Sequence, residues 1–456
     1  MKRDLIKKLE EWQNEKHHKP LLLLGARQVG KTWLMQEFAR TNFEKTAYIR
    51  FDRNRRISAI FSESDYNMPE LLQQIQAETD MKIEEGKTLL ILDEIQECPA
   101  ALTSLKYFCE DLPNLHVIAA GSLLGVHQHQ GTGFPVGKVK TLHLYPMSFR
   151  EFLMALGKDE LMKIIDSRDW KSIRLFNDKL SNLLKIYYFV GGMPEAVKTY
   201  VENGDYAAVR EIQNNILSDY DNDFSKHVPA SLAAKLSLLW NSIPLQLARE
   251  NKRFMYNIVH KSMRAKDLQE AMNWLQRAGL IYQVPRINTP ALPMGMYEDG
   301  AFKIFFSDVG LLGAKSDVKP SLLLQANDIF REFKGSLTEQ YVQQEMRANG
   351  ISAPHYWHAE TTHTELDFVF QADMAVVPVE VKAEHNTKAK SLINYCRRYS
   401  PPVAVRSSMN DYNLSTISNS EDSETTLIDI PLYAIYHIEQ ECNDALRALR
   451  ETFKIS

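Results

Sequence analysis

Residues 25–32 read Gly25-Ala26-Arg27-Gln28-Val29-Gly30-Lys31-Thr32, a complete GxxxxGK[ST] pattern. The four residues before it, Leu21 to Leu24, are all leucine, and a helix-compatible run from Trp33 to Ala39 follows. Strand, glycine-bounded loop and helix in that order leave few folds open. Glycine lets the loop close tightly, so that its N–H groups converge on an anion at the positive end of the helix. The anion that suits such a cradle is a chain of phosphates, with Lys31 reaching the β and γ groups and the Thr32 hydroxyl placed on Mg²⁺. ATP with magnesium is the expected ligand.

A second apolar run, Leu89-Leu90-Ile91-Leu92, ends in Asp93-Glu94. Two carboxylates at the C-terminal tip of a buried strand lie where α/β sheets hold their ligands. Asp93 is expected to hold the magnesium shell and Glu94 to accept a hydrogen bond from the attacking water, which makes hydrolysis the expected chemistry. A further strand, His116 to Ala120, leads to Gly121-Ser122, whose hydroxyl either senses the γ-phosphate or simply ends a turn.

Apolar runs alternate with helical patterns from Pro20 to about Pro146, which predicts a parallel sheet with crossover helices. Helical sequence dominates from Ser148 to about Ser225, broken by Gly191-Gly192-Met193-Pro194. Helices and then two strands, Leu280–Val284 and Phe302–Phe306, suggest a winged helix. Beyond the breakers near Lys315 to Pro320 come a helix around Gly335–Arg347 and strands Leu366–Phe370 and Val376–Lys382; Ser407–Thr426 reads as an exposed loop. The expected fold is α/β: an ATPase core over 1–150, a helical lid over 151–229, a winged helix over 230–318 and a small α/β domain over 319–456.

With 54 Lys plus Arg against 58 Asp plus Glu, no global basic field announces nucleic acid. The segment from Arg249 to Arg286 nevertheless holds eight basic residues (Arg249, Lys252, Arg253, Lys261, Arg264, Lys266, Arg277, Arg286) and three acidic ones, which makes it a candidate DNA-contacting patch. Its alternative is a contact with a protein client. The four cysteines form no CxxC pair, no apolar run is long enough to span a membrane, and the amphipathic start (Leu5, Ile6, Leu9, Trp12) reads as a docked helix. A cytoplasmic setting without membrane is therefore expected.

In the C-terminal part, strand alternation puts Glu380 and Lys382 on one face, with Asp367 on an adjacent strand and Glu339 on a helix. Together they are a candidate second divalent-metal site, with Lys382 orienting water; the bland alternative is a solvated ion pair. Order and spacing, including Glu365 two residues before Asp367, resemble the PD-(D/E)XK pattern of nucleases.

Several short blocks together resemble the prokaryotic AAA-like ATPases that carry a C-terminal domain of unknown function related to the PD-(D/E)XK fold. They are the P-loop, Leu92-Asp93-Glu94-Ile95-Gln96, Ala120-Gly121-Ser122, Tyr145-Pro146-Met147-Ser148-Phe149-Arg150-Glu151-Phe152, Gly191-Gly192-Met193-Pro194-Glu195 and Asp308-Val309-Gly310-Leu311. The resemblance implies an additional-strand P-loop sheet, with Asp93 and Glu94 as magnesium-shell and water-activating residues and Ser122 as sensor. Where that family usually has Gly-Arg, this chain has Gly137-Lys138, so a trans-acting finger in an oligomer stays unassigned, with Lys138 and Arg150 as candidates. Three functions follow as expectations: ATP-driven switching of the later modules, an ATP-gated metal-dependent nuclease, and a nucleotide-binding scaffold without turnover.

Overall fold

The computed structural model describes residues 1–122, 135–226, 228–249, 252–324, 331–351, 353–359, 364–383, 389–420 and 423–455. Two compact units emerge: Met1–Tyr145 with Asn273–Leu280, and Pro146–Met272 with Ile281–Ser456.

In the first unit, β1 (Leu21–Gly25), β2 (Lys45–Arg50), β3 (Thr88–Asp93), β4 (His116–Ser122) and β5 (Lys140–His143) form a sheet in the order β2-β3-β4-β1-β5. Every neighbouring pair is parallel. Helices cover both faces of such a sheet, which is why β1 and β3 read as unbroken apolar runs and are buried along their whole length. Leu22, Leu24, Ile49, Leu90 and Leu92 share one core cluster with Ile57, Leu71 and Leu105 from the helices Arg55–Glu63, Met68–Thr79 and Pro99–Asp111. β4 lies between β1 and β3, so the strand leading to the P-loop and the strand ending in Asp93 are separated by one strand, the additional-strand arrangement. The N-terminal helix Leu5–Gln13 buries Leu9 and Trp12, and the Trp12 indole Nε1 donates to Lys19 O at 2.7 Å.

The second unit begins with a helical stretch, opened by a capping box in which Ser148 and Glu151 satisfy each other's backbone amides. The helices Asn177–Val190 and Pro194–Asn203 are separated at Gly191-Gly192 as the sequence predicts. Gly192 is there because nothing larger fits: a Cβ would meet Met147 O at 2.1 Å. The blocks around Met147, Gly192 and Asp308 meet in one buried junction. Met147 N donates to Gly192 O at 2.7 Å, Gly192 N to Asp308 Oδ2 at 2.6 Å, and Leu311 N to Asp308 Oδ1 at 3.0 Å. Gln344 closes the set, accepting from Val309 N at 2.9 Å and donating to the Tyr187 hydroxyl at 2.8 Å. Burial pushes the Asp308 carboxyl up to about 6, against the pull of these donors.

The remaining strands are β6 (Ile281–Ile287), β7 (Glu298–Phe306), β8 (His355–Ala359), β9 (Thr364–Ala372), β10 (Ala375–Val381), β11 (Val403–Ser408), β12 (Asn413–Ser420) and β13 (Ser423–Pro431). They form one mixed sheet in the order β12-β13-β11-β10-β9-β8-β6-β7. The hairpin β6–β7, expected as the wing of a separate domain, is the end of this sheet. β6 runs past Pro285 through an irregularity, and Arg286 and Ile287 pair with Tyr356 and Trp357 of β8. β8 was not foreseen at all. The exposed loop expected at Ser407–Thr426 is also corrected: β12 and the ends of β11 and β13 account for most of it, the polar residues of β12 pointing mainly to solvent while antiparallel pairing with β13 satisfies the backbone groups on its inner edge. Among the described residues no helix is long and apolar enough to cross a membrane.

Candidate functional site

The P-loop joins β1 to the helix Lys31–Asn42. Gly30 caps that helix at φ +94°, a left-handed conformation that only glycine adopts cheaply, while Gln28 holds φ +65° with a side chain present. The Lys31 ammonium donates to Gly25 O at 3.0 Å and Ala26 O at 2.9 Å, so it lies folded over the loop. Loss of hydration lowers it to about 8; the nearby Glu94 and Asp93 carboxylates oppose this, and Arg27 adds to it.

Asp93 ends β3 and is buried. Its Oδ2 accepts from the Thr32 hydroxyl at 2.8 Å and from the Tyr48 hydroxyl at 2.7 Å, and its Oδ1 from Glu94 N at 3.0 Å. Burial and the bond to Asp93 raise the Tyr48 phenol. A carboxylate and a hydroxyl, both hard oxygen donors held in contact beside a phosphate cradle, fit Mg²⁺. Glu94 sits at φ +54°, which turns the chain at the strand tip. Its Oε2 accepts from Gln96 Nε2 at 2.6 Å, and Gln96 Oε1 accepts from Ser122 N at 3.3 Å. Ser122 is the register partner of Gly25, which places it across from the start of the P-loop. The expected residues Gly25 to Thr32, Asp93, Glu94 and Ser122 therefore converge at one end of one sheet.

Three contributors escaped the sequence reading. Tyr48 comes from β2, 45 positions from Asp93, and its strand alternation alone could have placed it on a face. Gln96 stood in a quoted block but without a role. The buried Arg3 ties Val29 O of the P-loop to Tyr145 O, at 2.8 and 2.6 Å, and nothing local marks it.

The C-terminal candidates also come together. The Lys382 ammonium donates to Glu380 Oε1 at 2.5 Å, and Asp367 Oδ2 accepts from Val381 N at 2.7 Å. Glu339, on the helix Arg331–Ala348, pairs with Lys252, and Lys303 of β7 lies 3.7 Å from Glu339 Oε2 and 2.6 Å from Glu365 Oε1. Lys303 is fully buried, with its ammonium 4.9 Å from the Tyr356 ring centroid. Among the described residues no group of three His, Cys, Asp or Glu side chains has the geometry to hold a metal. The expected second divalent ion thus meets a centre that already holds a cation. Lys303 had a signal: a lone lysine in the apolar run Phe302-Lys303-Ile304-Phe305-Phe306.

The basic segment is thinned by internal pairing. Lys252 is engaged with Glu339 and Arg286 with Asp299 at 2.6 Å, whereas Arg249, Arg253, Lys261, Arg264, Lys266 and Arg277 are exposed. The helix Ala265–Arg277 buries Leu268, Met272 and Leu275. Neither finger candidate is idle. Lys138 pairs with Glu110 at 2.8 Å on the surface, and Arg150 with Asp166 at 2.8 Å, largely buried.

Residues 17–153 match the family AAA_14, described as an AAA domain. Residues 181–322 and 334–433 match two domains of unknown function, DUF8612 and DUF4143. The chain thus carries an AAA-type P-loop ATPase domain followed by a DUF4143 domain. No curated protein matches it. Among solved structures it is similar to the Walker-type ATPase PABY2304 of Pyrococcus abyssi, at 16% identity over 69% of this chain and 95% of that one, with a TM-score of 0.45. It is also similar to the ORC1 protein of Aeropyrum pernix in complex with DNA, at 11% identity over 69% and 90%, TM-score 0.28. A third is the RuvB Holliday junction branch migration motor of Thermotoga maritima, at 14% identity over 62% and 90%, TM-score 0.28.

Proposed function

We propose that the chain is a magnesium-dependent ATPase whose nucleotide state drives conformational switching of the C-terminal modules, with DNA as the partner of the basic segment from Arg249 to Arg277. The observation that carries the ATPase reading is the contact of Thr32 with Asp93, with Glu94 next in sequence and held by Gln96. In this reading Lys31 exchanges the Gly25 and Ala26 carbonyls for the β and γ phosphate oxygens, and the P-loop amides hold the rest of the anion. Thr32 and Asp93 would hold magnesium, which would supply neutralisation of phosphate charge. Glu94 takes the proton of the attacking water, with its Oε2 held by Gln96. Ser122 reads the γ-phosphate from the end of β4.

The exposed arginines and lysines between Arg249 and Arg277 support the DNA contact, and four free thiols suit a reducing cytoplasm. The nuclease alternative rested on Glu339, Asp367, Glu380 and Lys382, and the buried Lys303 among them counts against it. Steady-state ATP hydrolysis tests the main reading. Lys31→Ala is expected to lose both binding and turnover, and Glu94→Gln to bind ATP while losing turnover by about 100-fold or more. A wild-type chain that binds ATP and never turns over would instead favour the scaffold, and Lys138→Arg restoring turnover would name its cause.

A further inference from the structure

Four carboxylates, Glu339, Glu365, Asp367 and Glu380, come from one helix and two strands to a single locus, where Glu339 and Glu380 are buried. Carboxylates gathered away from water must be neutralised, because an isolated buried charge costs several kcal/mol or more. In a metal-dependent site a divalent ion does this at about 2.0 to 2.6 Å from the oxygens. Here three ammonium groups arrive instead. Lys382, partly exposed, sits on Glu380, and Lys252, only slightly exposed, on Glu339. Lys303 enters from β7 with no surface exposure at all, placing its ammonium between Glu365 and Glu339 with the Tyr356 ring beside it. An aromatic face, one carboxylate in contact and a second at 3.7 Å surround one monovalent cation on a tether. A divalent ion added to the same oxygens would lie within a few ångströms of a buried positive charge that cannot swing out to water. Glu380 Oε2, buried and without a hydrogen-bond partner among the described residues, is an acceptor left over in this arrangement.

We propose that this cluster is a cation site whose cation is the chain's own Lys303, so that the second unit neither takes up a divalent metal here nor cleaves nucleic acid, and that removing the Lys303 ammonium opens the site to one divalent ion. The cluster then works as a clasp. It fastens β7 and the segment at Lys252 to the helix Arg331–Ala348 and to β9, giving the unit a fixed geometry without dependence on a metal supply.

The probe is Mn²⁺, titrated by electron paramagnetic resonance into the full chain without nucleotide and carrying Asp93→Asn, which takes the P-loop out of the count. The Lys303 chain is expected to bind no Mn²⁺ at the cluster, Lys303→Ala to gain one bound ion per chain, and Asp367→Asn added to it to abolish that ion. Mn²⁺ bound by the Lys303 chain and lost on Asp367→Asn would overturn the proposal. So would a Lys303→Ala chain that keeps its circular dichroism spectrum and binds none. If Lys303→Ala does not fold, the Lys303 chain still decides, through its own binding and through single-stranded DNA. Mn²⁺-dependent cleavage removed by Glu380→Gln overturns the proposal, and absence of both binding and cleavage bears it out.

Discussion

Asp93 accepts from Thr32, Tyr48 and the Glu94 amide at once, and only one of these donors is needed elsewhere when the site is loaded. When Thr32 turns to magnesium, Tyr48 remains to hold the carboxylate in place. A hydrogen bond to a charged group contributes about 1.5 to 3 kcal/mol. Tyr48→Phe should therefore raise the Mg²⁺ concentration needed for half-maximal turnover by about tenfold or more, leaving metal-free nucleotide binding unchanged. A titration of rate against Mg²⁺ checks it, and an unchanged requirement would remove Tyr48 from the site. The sequence made the P-loop legible because its eight residues act through their own backbone, and Asp93-Glu94 legible because the strand before them is local. Tyr48, Arg3 and Lys303 act across long loops, and no spacing rule reaches that far.

At the scale of elements, the junction of Gly192, Met147 and Asp308 lies where one helix ends and three begin. Gly192→Ala drives a methyl carbon into Met147 O and should destabilise the second unit by about 3 kcal/mol, read as a lowered denaturant midpoint. Asp308 adds a pH signature. Its folded value of about 6 lies above the ordinary 3.8, so the folded chain binds the proton more tightly. The resulting stabilisation is fully present below about pH 4 and is lost as pH rises through 6, a difference of about 3 kcal/mol. Asp308→Asn lacks this term and also presents an amide donor where N–H groups already point. It should be less stable than wild type at neutral pH, by about 1 to 3 kcal/mol, with the gap widening as pH falls from 6 to 4. The quoted blocks were visible as words in the sequence, yet their meeting was not. The polar run at 413–420 misled for a related reason: its composition suits a loop, and only its partner β13 makes it a strand.

On the scale of the molecule, strands such as β1, β3, β4, β9 and β10 followed from their apolar runs, while the grouping of elements did not. The hairpin β6–β7 reads locally as a wing, and two residue pairs with β8 make it part of the C-terminal sheet. That matters for the proposed DNA contact, since Arg286 and Lys252 are spent on internal ion pairs and only the exposed cations remain to meet phosphate. Replacing Arg264, Lys266 and Arg277 by Ala should flatten the slope of log binding constant against log salt by about 2 to 3 if all three contact phosphates. Fluorescence anisotropy with a duplex at several salt concentrations reads this slope, and an unchanged slope assigns the patch to another partner.

The place of Tyr48 on the outermost strand of its sheet has a magnetic counterpart. A ring fluorine introduced there as fluorotyrosine would sit one hydrogen bond from Asp93, on the strand that packs against only one neighbour. Its resonance would shift as the carboxylate's electron density is drawn toward a bound cation. The filling and emptying of the pocket could then be followed in real time, with unmodified nucleotide and no dye.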